Sequence, residues 1–156
     1  MSPSRSFGLD VGSKTIGVAV SDALGWTARP LKTIHRKSWS EDLAALQALK
    51  AEYHPHLLVV GLPLGSSGEM TEQARFNQRA AERIQQELDL PVIYRDESFS
   101  SEEASELLRE MGMGRKKRRQ KQKHSLDELA AARILQDYLD EQHRLQQVRN
   151  NQDLQE

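Results

Sequence analysis

Three acidic residues that lie far apart in the sequence fall at or near the ends of predicted secondary-structure elements. Asp10 is in the first predicted strand, Glu97 closes the last strand and Asp127 lies in the first turn of the last long helix. If the fold brings them together, their oxygen atoms suit Mg²⁺ or Mn²⁺ and not zinc. One or two such ions could bind a scissile phosphate, lower the pKa of an attacking water and stabilise the departing oxygen. The sequence therefore predicts Asp10, Glu97 and Asp127 as metal ligands and catalytic residues of a phosphodiester hydrolase.

The spacing after Asp127 indicates which way its carboxylate faces. Ala131, Ile134, Leu135 and Tyr138 follow it at i+4, i+7, i+8 and i+11, so the acid heads the apolar stripe that should pack on a sheet. An inward-facing carboxylate without a partner costs on the order of several kcal/mol, and it therefore needs a cation, hydrogen-bond donors or a metal. The alternative interpretation is that Asp127 only stabilises its helix N-terminus, by roughly 0.3–1 kcal/mol.

Residues 7–22 predict two short antiparallel strands joined by a tight turn. Apolar residues alternate with small ones, and Asp10 shares its face with Gly8 and Gly12. Glycines beside an acid leave room for a close approach to the backbone. The approaching group could be a metal ion, a phosphate or another chain, or the hairpin could simply carry an exposed Asp near its end.

The remaining pattern predicts an alternation of strands and helices. It consists of a third strand over 26–34, a helix from a capping box at Ser38 to Tyr53, a buried strand over 57–61, a helix over 70–88 with Met70 facing inward, a strand over 91–95, a short helix over 100–111 and a long helix from a cap at Ser125 to about Leu139 or beyond. Pro30 makes the third strand an edge strand or interrupts it. A three-stranded antiparallel start followed by two right-handed crossovers places the later strands beside the first.

Composition bounds the class of protein. The 156 residues suit one domain with a single core, and charged residues make up 29% of the chain. No apolar run has membrane-spanning length and no secretory leader is recognisable, so we expect no membrane association. The absence of cysteine excludes disulfides and thiolate metal sites and fits a cytoplasmic location.

The net charge of −1 conceals a concentrated basic segment. Residues 115–123 carry seven cations and no acid, and the rest of the chain has 15 cations against 23 acids. The segment could draw a phosphate backbone towards the acids, or it could be only a solvated loop. It contains no aromatic residue, so base stacking is not expected there. The predicted nucleic-acid-binding cations in it are Arg115, Lys116, Lys117, Arg118, Arg119, Lys121 and Lys123.

Four segments together resemble the YqgF family, also called RuvX, of pre-16S rRNA nucleases related to Holliday-junction resolvases. They are Gly8-Leu9-Asp10-Val11-Gly12-Ser13-Lys14 with Ile16-Gly17-Val18-Ala19-Val20-Ser21-Asp22, then Val60-Gly61-Leu62-Pro63-Leu64 with Gly68, then Asp96-Glu97, and finally Asp127-Glu128-Leu129-Ala130-Ala131-Ala132 with Ile134-Leu135. Each segment alone is a weak signal, whereas four in this order and at these separations are specific.

The resemblance implies an RNase H-like α/β fold, with a five-stranded mixed sheet of order 3-2-1-4-5 flanked by helices. The resemblance covers roughly Phe7 to Tyr138, and we expect a nuclease domain over residues 1–141. The composition of residues 142–156, mostly Gln, Asn and charged residues, predicts a polar tail that is partly helical or disordered. The resemblance also implies Mg²⁺- or Mn²⁺-dependent hydrolysis at the 5′ end of precursor 16S rRNA, with Asp10, Glu97 and Asp127 at the family's three acidic positions. The implied partners are RNA or structured DNA and ribosomal precursor particles. We expect a monomer or weak homodimer, since no sequence feature identifies a dimer surface, although the tail could contribute to one.

The chain departs from the family pattern at two positions, one directly after Glu97 and one in the β-hairpin at residues 7–22. Ser98 stands where the family usually has an arginine, and Thr15 stands where arginine is common. A guanidinium could grip a phosphate in two places, which a serine cannot do. Lys14, which keeps the family's lysine, or the basic segment could take over that contact. His124, close in sequence to Asp127, could assist proton transfer or be a surface residue.

Three other functions remain open from the sequence. The same fold and metals could cleave four-way DNA junctions. The chain could be a non-catalytic RNA-binding module that retains the fold, a reading that Ser98 keeps open. A kinase-like nucleotide-binding protein also has an Asp-x-Gly hairpin, but that architecture needs two such domains and the chain has the length of one.

Overall fold

Five strands form one mixed sheet in the order β3-β2-β1-β4-β5, with helices on both faces. The computed structural model describes residues 4–97 and 126–155. Its elements are β1 (Arg5–Val11), β2 (Thr15–Ser21), β3 (Ala28–His35), α1 (Trp39–Tyr53), β4 (Pro55–Leu62), α2 (Glu72–Leu88), β5 (Val92–Asp96) and α3 (Leu126–Gln155). The β1–β2 and β2–β3 pairs are antiparallel, and β1–β4 and β4–β5 are parallel. The predicted fold class and strand order are confirmed.

Local capping explains where the first two helices begin and end. The Ser38 hydroxyl accepts a hydrogen bond from the Glu41 N–H at 3.2 Å, as the capping box predicts. α1 ends where His54 takes a left-handed conformation, with φ of 51°. α2 begins at Glu72 because Thr71 is its N-cap. The prediction that Met70 faces inward is therefore wrong: it precedes the helix and is 37% exposed.

Strand β3 lies at the edge of the sheet, as Pro30 predicts. Pro30 pairs with Ala19, and the register with β2 shifts between Val18 and Ala19. Proline has no N–H to donate to a ladder, so an edge strand with a bulge accommodates it without leaving a neighbour unsatisfied.

The sheet separates two apolar layers. Alternate side chains of the strands, including Phe7, Leu9 and Val18, pack with α1 and α2 on one face. The other set, including Ala19 and Val59, packs against α3. Since Asp10 alternates with Leu9 and Val11, it belongs to the face that α3 covers.

Glycines in the sheet allow α3 to lie very close to it. A Cβ atom added to Gly17 would lie 2.0 Å from the backbone oxygen of Asp127, and one added to Gly8 would lie 2.5 Å from that of Ala131. Both separations are far inside van der Waals contact, so no larger residue fits beneath the helix as it stands. The group that approaches the backbone beside Asp10 is thus another part of the same chain.

The sequence predicts that the last helix runs to about Leu139 or beyond. In the structure α3 continues to Gln155. The described part of the tail, residues 142–155, is therefore helical. In residues 4–97 and 126–155, no helix combines the length and the apolar character needed to cross a membrane.

Candidate active site

Asp10 and Asp127 form an acidic pair at the start of α3. Asp10 in β1 pairs across the sheet with Gly17 in β2, and the backbone of Asp127 lies directly on Gly17. Burial, and then the nearby charge of Asp127, raise the pKa of Asp10 from 3.8 to about 6. The negative charge of Asp127 thus disfavours ionisation of the half-buried Asp10, and the two carboxylates provide oxygen ligands for a hard cation.

The residue after Asp127 fixes the first turn of α3 on the sheet. Glu128 is buried, and the Thr33 hydroxyl donates a hydrogen bond to its carboxylate at 3.2 Å. Thr33 pairs with Gly17 in the sheet, so this bond holds the beginning of α3 over the glycine that admits it. The position of the Asp127 carboxylate therefore depends on a β3 side chain as well as on the helix.

Glu97 follows β5 and is engaged by a different acid. Its N–H donates to the Leu62 carbonyl at 3.0 Å, which continues the β4–β5 pairing. Its side chain hydrogen-bonds to Asp137 in α3. Burial, and then the hydrogen bond and charge of Asp137, raise the pKa of Glu97 from 4.5 to about 8, although Arg95 and Arg133 oppose the shift.

The structure thus brings together two of the three predicted acids and places the third with another partner. Within residues 4–97 and 126–155, no three His, Cys, Asp or Glu side chains are grouped closely enough to hold a metal ion. Strand β4 lies between β1, which carries Asp10, and β5, which Glu97 follows. The Ile134 side chain of α3 fills the space above Gly61 of β4. The roles assigned to Asp10, Glu97 and Asp127 stay predictions.

The β1–β2 turn, which carries Lys14, is held by an arginine that the sequence analysis missed. Nη1 of Arg36 donates to the Gly12 carbonyl at 2.9 Å, and its backbone N–H donates to the Lys14 carbonyl at 2.9 Å. Arg36 also forms an ion pair with the buried Asp42 at 3.4 Å. The Lys14 side chain is exposed on this braced turn.

Asp137 is the other missed residue, and a signal for it was present. Ile134, Asp137 and Glu141 are spaced i, i+3 and i+7, so they share one helical stripe. In the structure Glu141 forms an ion pair with Arg95 of β5. Acids at consecutive positions of a packing stripe indicate that this side of α3 meets polar groups of its neighbours, and in the structure these include Arg95 of β5 and Glu97 after it.

The other predicted site residues lie outside the described part of the chain. They are the cations of the basic segment (residues 115–123), Ser98 and His124, together with the predicted helix over 100–111 and the cap at Ser125.

A family model for RuvX, described as Holliday junction resolvase, matches residues 4–141. The chain belongs to the RuvX family. A protein of Moorella thermoacetica is 46% identical over 136 residues, which cover 87% of this chain and 94% of that protein. One of Syntrophomonas wolfei is 42% identical over 136 residues, with the same coverage. Both carry the provisional name of pre-16S rRNA nuclease.

A distant solved structure shows the same fold as this RuvX-family chain. It is Thermus thermophilus RuvC in complex with a Holliday junction substrate, with a TM-score of 0.52 and 16% sequence identity. The match covers 90% of this chain and 96% of that one. The sheet order is therefore that of an RNase H-like nuclease fold, and the resemblance stated from the sequence is confirmed.

Proposed function

We propose that this RuvX-family nuclease hydrolyses phosphodiester bonds near the 5′ end of precursor 16S rRNA and requires Mg²⁺ or Mn²⁺. The observation that carries the proposal is the half-buried pair of Asp10 and Asp127 on the RNase H-like sheet. The names of the two relatives support the choice of substrate.

The donor atoms of this pair fit a divalent cation in kind. Asp10 and Asp127 would hold the ion, and Glu97 would join them only after its side chain leaves Asp137. Bound there, the ion would lower the pKa of an attacking water and stabilise the departing oxygen. Asp10 contributes a full negative charge only above its pKa of about 6, and the exposed Lys14 is available to a neighbouring phosphate.

The decisive experiment compares two substrates at equal concentration, a 5′ precursor fragment of 16S rRNA and a four-way DNA junction. We expect Mg²⁺- or Mn²⁺-dependent cleavage of the RNA by the wild type. Asp10→Asn, Glu97→Gln and Asp127→Asn should each abolish cleavage while the far-UV circular dichroism spectrum stays unchanged. Tight RNA binding by a wild type that cuts neither substrate would favour the non-catalytic RNA-binding module instead.

Junction resolution is the second candidate function. The description of the matching family model and the Thermus RuvC complex favour it. Faster cleavage of the junction than of the precursor fragment, lost in Asp10→Asn, would establish it.

The proposal includes the cellular setting and the domain boundary. The protein acts in the cytoplasm, on RNA or ribosomal precursor particles, as a monomer or weak homodimer. The nuclease domain spans residues 1–141, which the family match over 4–141 supports.

A further inference from the structure

A cleft of about 580 Å³ opens between the β1–β2 turn and the first half of α2. Its floor and walls are formed by Ser13 of the turn and by Glu72, Gln73, Arg75, Phe76 and Arg79 of α2. Ser13 follows Asp10 by three residues, so the cleft lies at the end of β1 that is near Asp10, on the face of the sheet opposite α3. None of the α2 residues belongs to the site described above.

Phe76 presents an aromatic ring to solvent in this cleft. It is 42% exposed, although Ala74 and Asn77 beside it are buried. No other aromatic ring or cation within the described residues stacks on it. An exposed ring with a free face is a platform on which a base of any identity can stack.

Arginines occur at every fourth position along the same side of α2. Arg75, Arg79 and Arg83 are exposed and are spaced i, i+4 and i+8, which separates successive side-chain origins by about 6 Å along the helix. In the part of the chain that the structure describes, the guanidinium groups of Arg75 and Arg79 have no ion-pair or hydrogen-bond partner. Arg83 stacks on the Trp39 ring at 4.5 Å from its centroid.

These features favour a nucleic-acid strand over other occupants. Two unpaired guanidinium groups outweigh Glu72 in the cleft lining, whereas an apolar peptide would leave those charges unmatched. Guanidinium groups match phosphate oxygens in a two-point geometry. A base can reach the ring of Phe76 only if it is unstacked from its neighbours, which excludes an intact duplex.

We propose that the cleft binds single-stranded nucleic acid next to the cleaved bond, with a base stacked on Phe76 and flanking phosphates contacted by Arg75 and Arg79. The strand passes over the β1–β2 turn, past the exposed Lys14, to reach Asp10. The position of the cut relative to the cleft rests on the proposed nuclease function. Binding itself does not depend on cleavage.

The test measures binding in an Asp10→Asn background, where cleavage cannot interfere. Fluorescence anisotropy follows a short labelled single-stranded RNA, a DNA of the same sequence and the corresponding blunt duplex. We expect Phe76→Ala to weaken binding of the single strands about 5- to 100-fold and to leave duplex binding unchanged. Phe76→Tyr should retain the affinity of the wild-type side chain, whereas Phe76→Leu should behave like Phe76→Ala, because leucine is apolar but cannot stack.

The arginine contribution is read from the salt dependence. Arg75→Ala/Arg79→Ala should lower the slope of the logarithm of affinity against the logarithm of salt concentration by about 1.4, since each single-strand phosphate contact contributes about 0.7. The matched control is Arg144→Ala/Arg149→Ala, which removes two exposed cations from the far part of α3. It should leave both affinity and slope unchanged. If the cleft variants weaken binding of the RNA and the DNA single strand equally, base stacking and phosphate contact account for the binding. If they weaken binding of only one of the two strands, the cleft is still supported and that strand is its ligand.

Two outcomes would overturn the proposal. One is single-strand affinity that survives both Phe76→Ala and Arg75→Ala/Arg79→Ala. The other is an equal loss in Arg144→Ala/Arg149→Ala, which would show that only overall charge matters. Either result leaves the nuclease function standing if the wild type still cuts RNA. Conversely, a wild type that cuts neither substrate but binds through Phe76 refutes the proposed function and supports the cleft.

Discussion

At the scale of a single residue, the Asp10 carboxyl should control how stability depends on pH. Its pKa is about 6 in the folded chain and 3.8 as an ordinary aspartate. The folded state therefore holds this proton more tightly than the unfolded state, and its stability falls as pH rises from about 4 to 6. Above pH 6 the ionised Asp10 carboxylate destabilises the fold unless a cation binds it, because it is half-buried and lies near the charge of Asp127.

We expect Asp10→Asn to raise the free energy of unfolding at pH 8 by about 1–3 kcal/mol in the absence of divalent cations. At pH 4 the substitution should have little effect, because the wild-type carboxyl is then largely protonated in the folded state. Urea unfolding at both pH values measures the difference. Asp153→Asn, which neutralises an exposed acid in α3, is the control and should change neither value. An equal gain at pH 4 and pH 8 would contradict this explanation.

The hydrogen bond and the negative charge of Asp137 should help to keep the Glu97 carboxyl protonated. Burial is the largest cause of the raised pKa of Glu97, and the hydrogen bond and charge of Asp137 add to it. Removing that charge in Asp137→Asn should therefore lower the pKa of Glu97 from about 8, and Arg95 and Arg133 remain nearby to favour the ionised form. At pH 7 a larger fraction of Glu97 would then be ionised. A ¹³C NMR titration of the carboxyl carbons, assigned with Glu97→Gln, measures this pKa. A value still near 8 would mean that burial alone raises it.

At the scale of elements, the acidic pair exists because α3 can lie against the backbone of β1 and β2. Gly17→Ala would place a methyl group 2.0 Å from the Asp127 oxygen, and neither backbone can yield without moving the helix. We expect a loss of about 1–3 kcal/mol or more in the free energy of unfolding, together with loss of activity. Gly12→Ala is the matched control, because its methyl group would make an ordinary contact of 3.4 Å with the Thr15 oxygen. Thermal unfolding of both variants is the measurement, and equal stability of the two would refute the packing argument.

The sequence was informative where structure is decided locally. Alternation in β1 and β2, the cap at Ser38 and the edge position of Pro30 each follow from a few neighbouring residues, and each is present in the structure. Met70 was misjudged because its helical spacing continues the α2 pattern, whereas Thr71 forms the cap one residue later.

At the scale of the whole molecule, strand order was predictable but the pairing of acids was not. Crossover handedness and the family resemblance lead to the observed sheet, and Asp127 heads its apolar stripe as its spacing indicates. The helical stripe that carries Asp137 indicates a polar neighbour, but that this neighbour is Glu97 depends on where α3 crosses the end of β5, which no local pattern specifies. The structure therefore places Asp127 near Asp10, whereas the Glu97 side chain has a partner, Asp137, that the sequence pattern alone did not identify. The metal-binding and catalytic roles of the three acids stay predictions.

Divalent cations should stabilise the whole folded chain, because a ligand that binds only the folded state adds to its stability by mass action. At pH 8 we expect Mg²⁺ or Mn²⁺ to raise the melting temperature, by the equivalent of about 2.7 kcal/mol at a concentration 100 times its dissociation constant. Below pH 6 the increase should shrink, since protonation of Asp10 removes one charged ligand. Asp10→Asn and Asp127→Asn should lose the increase at pH 8, whereas Asp153→Asn should keep it, with sodium chloride at matched ionic strength as the reference. An increase that persists in Asp10→Asn would place the cation elsewhere on the protein, and the acidic pair would then lose its assigned role.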